Sequence, residues 1–205
     1  MFWSIKTTSN MALSDIKHLS LDDVFFTKRG SKICRVRCAG GDFVITPPEH
    51  LRIPFDASNY DKDGSACRLS LVFETNPELQ TLIETFDGWI VRYMSEHSER
   101  IFKKTMTPEQ VRVGYCSCLK YKEPYAPTLK CKLDKDGRRG ICCWQPSGER
   151  ADQPSDWRSV MAKPRLHVSH LWVMGAQHGV VIQLTDAEIV PSEVVQSVER
   201  ANPFR

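Results

Sequence analysis

A strict alternation of apolar and polar residues marks the stretch from Thr128 to Leu133. Successive side chains of a β-strand point to opposite faces, so residues two apart share a face. One face of the expected strand is apolar and consists of Leu129, Cys131 and Leu133. The other face is polar and consists of Thr128, Lys130 and Lys132. We therefore predict a strand with one face in the core and one cationic face in solvent.

Short runs of the same kind recur along the chain and predict a β-rich protein. The run Ala66–Phe73 alternates in the same way and is another clear strand. Three earlier runs, each followed by a break that contains glycine or proline, predict a small meander: Val24–Thr27, Ile33–Cys38 and Phe43–Thr46. In the second of these runs, Arg35 and Arg37 face away from the apolar residues.

The last third of the chain predicts a hairpin. The runs Leu171–Met174 and Gly179–Val190 flank a turn at residues 175–179. Lys163-Pro164 is predicted to split the preceding apolar residues into two strands, because proline interrupts strand pairing. Together with Ile141–Trp144, these runs bring the expected number of strands to about nine.

Two helices are expected between the strands. Asn76 followed by Pro77 is typical of a helix N-terminus. Apolar residues then recur at three- and four-residue intervals as far as Ile101, which predicts one long amphipathic helix packed on the sheet. A second, short helix is expected from Thr107 to about Gly114.

We interpret residues 21–192 as a single β-rich domain, preceded by a poorly ordered leader (1–20) and followed by a C-terminal tail (193–205). The expected fold class is mainly β (α+β), an OB-like barrel or sandwich of about nine strands with one long amphipathic helix and one short helix. No run approaches eighteen consecutive apolar residues, and the N-terminus lacks the features of a signal peptide. We expect a soluble, intracellular protein with no membrane partner.

Charge is distributed unevenly along the chain. The formal net charge is +3, but residues 100–139 hold eleven Lys/Arg and four Asp/Glu, which leaves +7 in that segment and −4 elsewhere. A basic segment in an otherwise slightly acidic chain is typical of a surface that binds a polyanion. The competing interpretation is a solvated charged face that binds nothing.

Aromatic residues interleave with the cations of this segment. Flat rings can stack on bases beside cations that bind the backbone phosphates. The candidate nucleic-acid-binding residues are Lys120, Tyr121, Lys122, Tyr125, Lys130, Lys132, Arg138, Arg139, Trp144 and Trp172. An alternative role is expected for at least one of the tyrosines at 115, 121 and 125, which would pin a loop against the fold near Pro124 or Pro127.

No pattern in the chain indicates an active site or a cofactor. The GxSxG, Walker and GxGxxG motifs are absent, so we assign no catalytic residue and no cofactor. The five cysteines between residues 116 and 143 lack the spacing of paired zinc ligands, and we interpret them as reduced thiols, with a zinc module as a third alternative. His167 and His170 are predicted on opposite faces of their strand, and His178 in a hairpin turn, where it is either exposed or in contact with phosphate.

Four segments taken in order resemble a known family: Leu51–Phe55, the long expected helix, Tyr125–Leu133 and Leu171–Thr185. The chain resembles, from about residue 47 to 190, the single-stranded-DNA-binding-like proteins of large eukaryotic DNA viruses and some protists. This resemblance implies a diverged OB-fold barrel and a sequence-tolerant grip on exposed single strands. The chain departs from the resemblance at His178, where a tyrosine or phenylalanine is expected.

The expected function is non-enzymatic, sequence-tolerant binding of single-stranded DNA in replication, recombination or repair, with RNA as a second candidate ligand. The expected partners are a second copy of the chain or replication proteins, and the expected location is the nucleus or a viral replication site. The alternative is a β-rich structural or interaction subunit of a virion or replication complex, whose strands pair with another chain and do not bind nucleic acid.

Overall fold

The computed structural model describes residues 19–21, 25–26, 32–38, 41–59, 68–135 and 140–192. The helices within them are α1 (Pro77–Glu96), α2 (Ser98–Phe102) and α3 (Pro108–Gly114), and a single 3-10 turn covers Trp157–Ser159. The strands are β1 (Leu19–Leu21), β2 (Phe25–Phe26), β3 (Lys32–Cys38), β4 (Gly41–Ile45), β5 (Leu51–Arg52), β6 (Ser58–Asn59), β7 (Arg68–Glu74), β8 (Tyr115–Cys116), β9 (Leu119–Lys122), β10 (Tyr125–Asp134), β11 (Cys142–Trp144), β12 (Arg150–Ala151), β13 (Val160–Met174) and β14 (Gln177–Pro191).

The protein is mainly β with few helices, but the expected numbers of elements are wrong. The described residues contain fourteen strands where about nine were expected, and three α-helices where two were expected. Five of the strands, β2, β5, β6, β8 and β12, have only two residues. A run of two residues is too short to show the alternation from which strands are predicted.

The strands form one open sheet. Its main path runs β1, β3, β4, β13, β14, β10, β7 and β6. The long strands β13 and β14 form the predicted hairpin, with a tight turn at Gly175, whose φ is 60°. β10 runs parallel to β14 and antiparallel to β7. The predicted meander is confirmed, because β2 pairs with β3 and β3 pairs with β4, both antiparallel.

β13 continues through Pro164, where the sequence predicted a break between two strands. Pro164 pairs with Ala187 of β14. On the other edge of β13, β5 pairs with Ala162 and β4 pairs from Leu166 onward. Pro164 lies between these two partner strands, so its missing N–H removes no bond to either of them.

α1 begins as the sequence predicts but ends earlier. The side-chain oxygen of Asn76 accepts a hydrogen bond from the backbone N–H of Leu79 at 2.8 Å, and Pro77 is the first helical residue. The helix does not reach Ile101, because the backbone leaves helical geometry at His97 and α2 begins at the next residue. The short helix α3 is confirmed, with a capping box at its start.

α1 covers the apolar side of the sheet. The ring of Phe86, in the middle of the helix, packs on Phe43 of β4 with centroids 5.1 Å apart. This side, which we call the apolar face, is buried and includes Phe43, Leu69, Leu71, Phe73, Leu129, Cys131, Leu133, Leu166, Val168, Leu171, Ile182 and Leu184. Burying each large side chain stabilises the fold by about 1.5–3 kcal/mol. The predicted inward direction of the apolar residues of β10 is therefore confirmed.

The predicted ends of the chain lie mostly outside the described residues. Residues 1–18 of the expected leader and the whole expected tail, 193–205, are not among them, and the last two leader residues belong to β1. In the part of the chain that the structure describes, no helix is long and apolar enough to cross a membrane.

Candidate nucleic-acid interface

The side of the sheet opposite the apolar face is polar, and the strand register shows which residues it holds. Residues directly opposite each other on paired strands share a face. Lys132 lies opposite Gln183, Gln183 lies opposite His167, and His167 lies opposite Val44. This row crosses four strands, β10, β14, β13 and β4. We call this side of the sheet the polar face.

The hairpin of β9 and β10 brings four of the predicted binding residues together on the polar face. Lys122 lies opposite Tyr125, and Lys120 lies opposite Thr128, which is two residues from Lys130. All three lysines are exposed, and the ring of Tyr125 is 69% exposed. We call Lys120, Lys122, Tyr125 and Lys130 the lysine end of the polar face.

One carboxylate beside the lysine end on the polar face is already paired. Glu74 of β7 lies opposite Thr128. One of its oxygens is 2.6 Å from the guanidinium of Arg52. This ion pair offsets the negative charge of Glu74, so the lysine end remains cationic.

Tyr121 is not brought together with the other predicted binding residues. It lies between Lys120 and Lys122 in the sequence and therefore points to the other side of β9. Its hydroxyl donates a hydrogen bond to Glu84 of α1. This bond lowers the pKa of Glu84 and raises the pKa of Tyr121. The ring is 58% exposed, but it lies on the helix side of the strand.

Lys130 and Lys132 share a face, as predicted, but their surroundings differ. Lys130 is exposed, whereas the side chain of Lys132 is only 18% exposed. The ammonium of Lys132 lies 3.0 Å from one oxygen of Asp134, and the amide of Gln183 donates to the other oxygen at 3.0 Å. The prediction that Lys132 faces solvent is therefore wrong. Asp134 follows two residues later, so the same alternation places it beside Lys132.

His167 and His170 lie on the same face, which contradicts the prediction from their spacing. A β-bulge at Ser169 adds one residue to β13 at this point. The two histidines consequently lie opposite Gln183 and Val181, which are two residues apart on β14. Both histidines therefore belong to the polar face.

Arg35 is a further cation on the polar face that the sequence did not select as a binding residue. It lies opposite His170 and is exposed. Its alternation with apolar neighbours already indicated an outward direction. Its proximity to the histidines depends on the pairing of β3 with β13, for which the sequence carries no local signal.

Trp172 lies on the polar face as an anchored ring. It is opposite Gly179, and a Cβ at Gly179 would lie 3.1 Å from the indole and 2.7 Å from the carbonyl oxygen of Cys116. The absence of a side chain at Gly179 therefore leaves room for both the indole and the Cys116 carbonyl beside the backbone of β14. Trp172 is half-buried in this position.

Trp144 lies at the other end of the polar face, among carboxylates. It is opposite Glu188, is 36% exposed, and its indole N–H donates to Asp186 at 3.2 Å. Arg165 also contacts Asp186, at 3.4 Å, and Glu188 lies 3.1 Å from His50. We call Trp144, Arg165, Asp186 and Glu188 the acidic end of the polar face.

A half-buried carboxylate of α1, that of Asp87, holds the segment that precedes β9. The hydroxyl of Tyr115 donates to one oxygen of Asp87 at 2.6 Å, and the hydroxyl of Ser117 donates to the other at 2.5 Å. Burial raises the pKa of Asp87, although both hydrogen bonds lower it. Burial also raises the pKa of Tyr115. Tyr115 therefore has the pinning role expected for at least one of the three tyrosines.

His178 is buried, which contradicts both sequence interpretations of this residue. Its side chain is 1% exposed, and Nε2 lies 2.7 Å from the carbonyl oxygen of Val111 in α3. Its ring packs edge-on against Phe102 with centroids 5.2 Å apart. Burial lowers the pKa of His178, which favours the neutral ring. His178 of β14 thus contacts both α2 and α3, and its ring is not exposed to bind phosphate.

The described cysteines are mostly buried or half-buried thiols. Burial raises the pKa of Cys118 to about 12 and that of Cys143 to about 11. Among the residues that the structure describes, no group of three or more His, Cys, Asp or Glu side chains is placed to hold a metal ion. The predicted binding residues Arg138 and Arg139 lie outside the described residues.

Comparisons with known proteins give similar structures but no family. No protein-family model and no curated protein matches the chain. The single-stranded DNA-binding protein of bacteriophage Enc34, solved in complex with ssDNA, is 10% identical, with a TM-score of 0.49 over 78% of this chain and 91% of that chain. A C-terminal truncation of that protein is 8% identical, with a TM-score of 0.48 over 85% of this chain and 96% of that chain.

A third similar structure is gp2.5, a single-stranded DNA-binding protein encoded by bacteriophage T7. It is 13% identical, with a TM-score of 0.38 over 80% of this chain and 97% of that chain. With TM-scores of 0.49 or less, these similarities do not decide what this chain binds. The residues of the polar face have to decide it.

Proposed function

We propose that the protein binds single-stranded DNA on the polar face, without sequence specificity and without catalysis. The observation that carries this proposal is the lysine end, where three exposed lysines and one exposed tyrosine share a single sheet face. Cations at this spacing neutralise backbone phosphates, and an exposed ring stacks on a base of any type.

The same arrangement favours single strands over duplexes. Stacking on Tyr125 needs a base whose face is free, and it contributes about 1–3 kcal/mol per base. A duplex offers phosphates to the lysines but keeps its bases stacked inside. A duplex would therefore bind through electrostatic attraction without stacking, and we expect it to bind more weakly than a single strand.

The bound strand is proposed to continue from the lysine end toward Trp172. This direction leads across β14 and β13 to His170 and Arg35, which supply further polar contacts. The opposite direction leads to the acidic end, where Asp186 already contacts both Arg165 and the indole N–H of Trp144. We therefore expect the bound strand to extend from the lysine end toward Trp172 and not toward the acidic end.

Several finer parts of the proposal rest on the sequence resemblance alone. They are the OB-type classification of the sheet, the relationship to the eukaryotic viral family, a role in replication, recombination or repair, and a location in the nucleus or at a viral replication site. We propose RNA as a second candidate ligand, and a second copy of the chain or replication proteins as candidate partners.

Fluorescence anisotropy with labelled single- and double-stranded oligonucleotides tests the proposal. We expect preference for the single strand and a log–log salt slope of about −2, because each of three phosphate contacts contributes about −0.7. Equal affinity for both forms, or a flat salt response, would overturn it. A tight oligomer that binds no oligonucleotide, measured by light scattering, would favour a structural or interaction subunit.

A further inference from the structure

The segment 115–122, which contains Lys120 and Lys122, is attached to α1 by two carboxylates, one half-buried and one exposed. Glu84 and Asp87 are three residues apart on α1, so they lie on one side of the helix. Asp87 accepts hydrogen bonds from Tyr115 and Ser117, and Glu84 accepts one from Tyr121. All three hydroxyls belong to the short segment that leads into and includes β9.

The contacts of Asp87 order the backbone directly before the lysines. The hydroxyl of Ser117, held by Asp87, accepts a hydrogen bond from the backbone N–H of Leu119 at 3.0 Å. The carbonyl of Cys118 accepts a bond from the N–H of Lys130 at 2.9 Å. A chain of hydrogen bonds thus leads from the helix to the start of β9 and to its partner strand β10.

Because the Asp87 carboxylate is partly removed from water, it destabilises the fold unless its hydrogen bonds are made. The side chain of Asp87 is half-buried. Both of its oxygens are occupied by hydroxyls of the same segment. The other charged groups that act on Asp87 are Arg112 of α3 and Glu84. The segment is therefore held in one position on the helix.

We propose that Asp87 is a positioning residue for phosphate binding, and that it sets the location of Lys120 and Lys122 through Tyr115 and Ser117. This inference rests on the proposed function, because it concerns how the lysine end of that surface is held. Asp87 itself lies on the helix side of the strand and does not touch the ligand.

A double-mutant cycle between Asp87→Asn and Lys120→Gln/Lys122→Gln tests the inference. In the wild-type background, Asp87→Asn is expected to weaken binding of a single-stranded oligonucleotide by about five- to tenfold and to reduce the salt slope by up to about 1.4, the value for two lost phosphate contacts. In the Lys120→Gln/Lys122→Gln background, the same substitution is expected to change affinity by less than about twofold. An equal loss in both backgrounds, or no loss in the wild-type background, would overturn the positioning role.

Hydrogen exchange without ligand separates this inference from the proposed function. In Asp87→Asn and in Ser117→Ala, amides of residues 115–122 are expected to exchange faster, while those of the β13–β14 hairpin keep their protection. Unchanged exchange in residues 115–122 of both variants would overturn the inference even if the oligonucleotide binds. If exchange is faster in both variants but the wild-type protein binds no oligonucleotide, the proposed function is overturned and the positioning of the segment is not.

Discussion

The lysine end and the acidic end of the polar face contain the same types of residue in different surroundings. Each end has an exposed or half-exposed aromatic ring and at least one cation on the same face of the sheet. At the acidic end, Asp186 contacts both Trp144 and Arg165. Beside the lysine end, Glu74 is paired with Arg52. Residue types alone therefore do not make a phosphate-binding surface, because contacts such as those of Asp186 with Trp144 and Arg165 also decide it.

The largest expected effect is charge reversal at the lysine end. Lys120→Glu/Lys122→Glu is expected to weaken binding of a single-stranded oligonucleotide by about 100-fold or more, because two phosphate contacts become repulsive. Anisotropy at low salt measures this loss. The matched control is Arg150→Glu, which reverses one exposed cation opposite Trp144 at the other end. A loss at Arg150→Glu as large as that of the double variant would remove the distinction between the ends.

The next largest effect distinguishes the ring of Tyr125 from the ring of Trp144. Tyr125→Ala is expected to cost about 1–3 kcal/mol of binding free energy, because an exposed ring that stacks on a base is lost. Trp144→Ala is expected to change affinity by less than about twofold, since its indole is bonded to Asp186. Titration with an oligothymidylate measures both variants.

Tyr125→Phe serves as the control for the ring itself. It keeps the aromatic face and is expected to retain nearly all the affinity. Equal losses for Tyr125→Ala and Trp144→Ala would contradict the assignment of stacking to the lysine end.

A smaller effect distinguishes the two lysines of β10. Lys130→Gln is expected to weaken binding by about fivefold and reduce the salt slope by about 0.7, because one phosphate contact is lost. Lys132→Gln is expected mainly to lower the free energy of unfolding, by about 1–2 kcal/mol, because Asp134 loses its ion-pair partner in a largely buried position. Anisotropy and urea unfolding measure the two quantities.

The double variant Lys132→Gln/Asp134→Asn checks the cause of that loss. Removal of both charges is expected to restore much of the stability that Lys132→Gln removes. If Lys132→Gln proves as stable as the wild type and binds as weakly as Lys130→Gln, then Lys132 is a ligand contact and the pairing with Asp134 is unimportant.

The smallest effect expected is a pH dependence of the unfolding free energy, which originates at Asp87 on the helix side of β9. Burial raises the pKa of Asp87 above its ordinary value of 3.8, so the native state binds this proton more tightly than the unfolded state. The resulting stabilisation is complete below pH 3.8 and is lost as the pH rises through the raised native pKa. The difference in unfolding free energy between wild type and Asp87→Asn is therefore expected to shift in favour of the variant as pH rises through this window. Urea unfolding at a series of pH values measures it, and a shift in the opposite direction would contradict the burial of Asp87.

The sequence predicted those features that depend on local patterns. Alternation gave the direction of Lys130 and of the apolar residues of β10, and Asn76-Pro77 gave the start of α1. It also contained the signal for the pairing of Lys132 with Asp134, because residues two apart on a strand share a face. Asp134 lies one position beyond the alternating stretch from Thr128 to Leu133, so the predicted strand does not include it.

Features that depend on pairing between distant strands were not predictable in this way. The bulge at Ser169 exists only because β13 must match β14, and it reverses the expected relation of His167 and His170. Tyr121 was expected to stack on bases, but the position of α1 places its hydroxyl on Glu84. Pro164 remains inside β13 because, on the side of β13 that faces β4 and β5, it lies between the segments that these two strands pair with. Each of these outcomes is decided by tertiary contacts and not by residue type.

Lysine footprinting of the wild-type protein tests the central claim most directly. Reductive methylation is followed by mass spectrometry, with and without a saturating single-stranded oligonucleotide. We expect the oligonucleotide to protect Lys120, Lys122 and Lys130, and to leave the exposed Lys103 and Lys104 between α2 and α3 fully reactive. Unchanged reactivity at Lys120 and Lys122 in the presence of bound oligonucleotide would contradict the assignment of the lysine end as the binding surface.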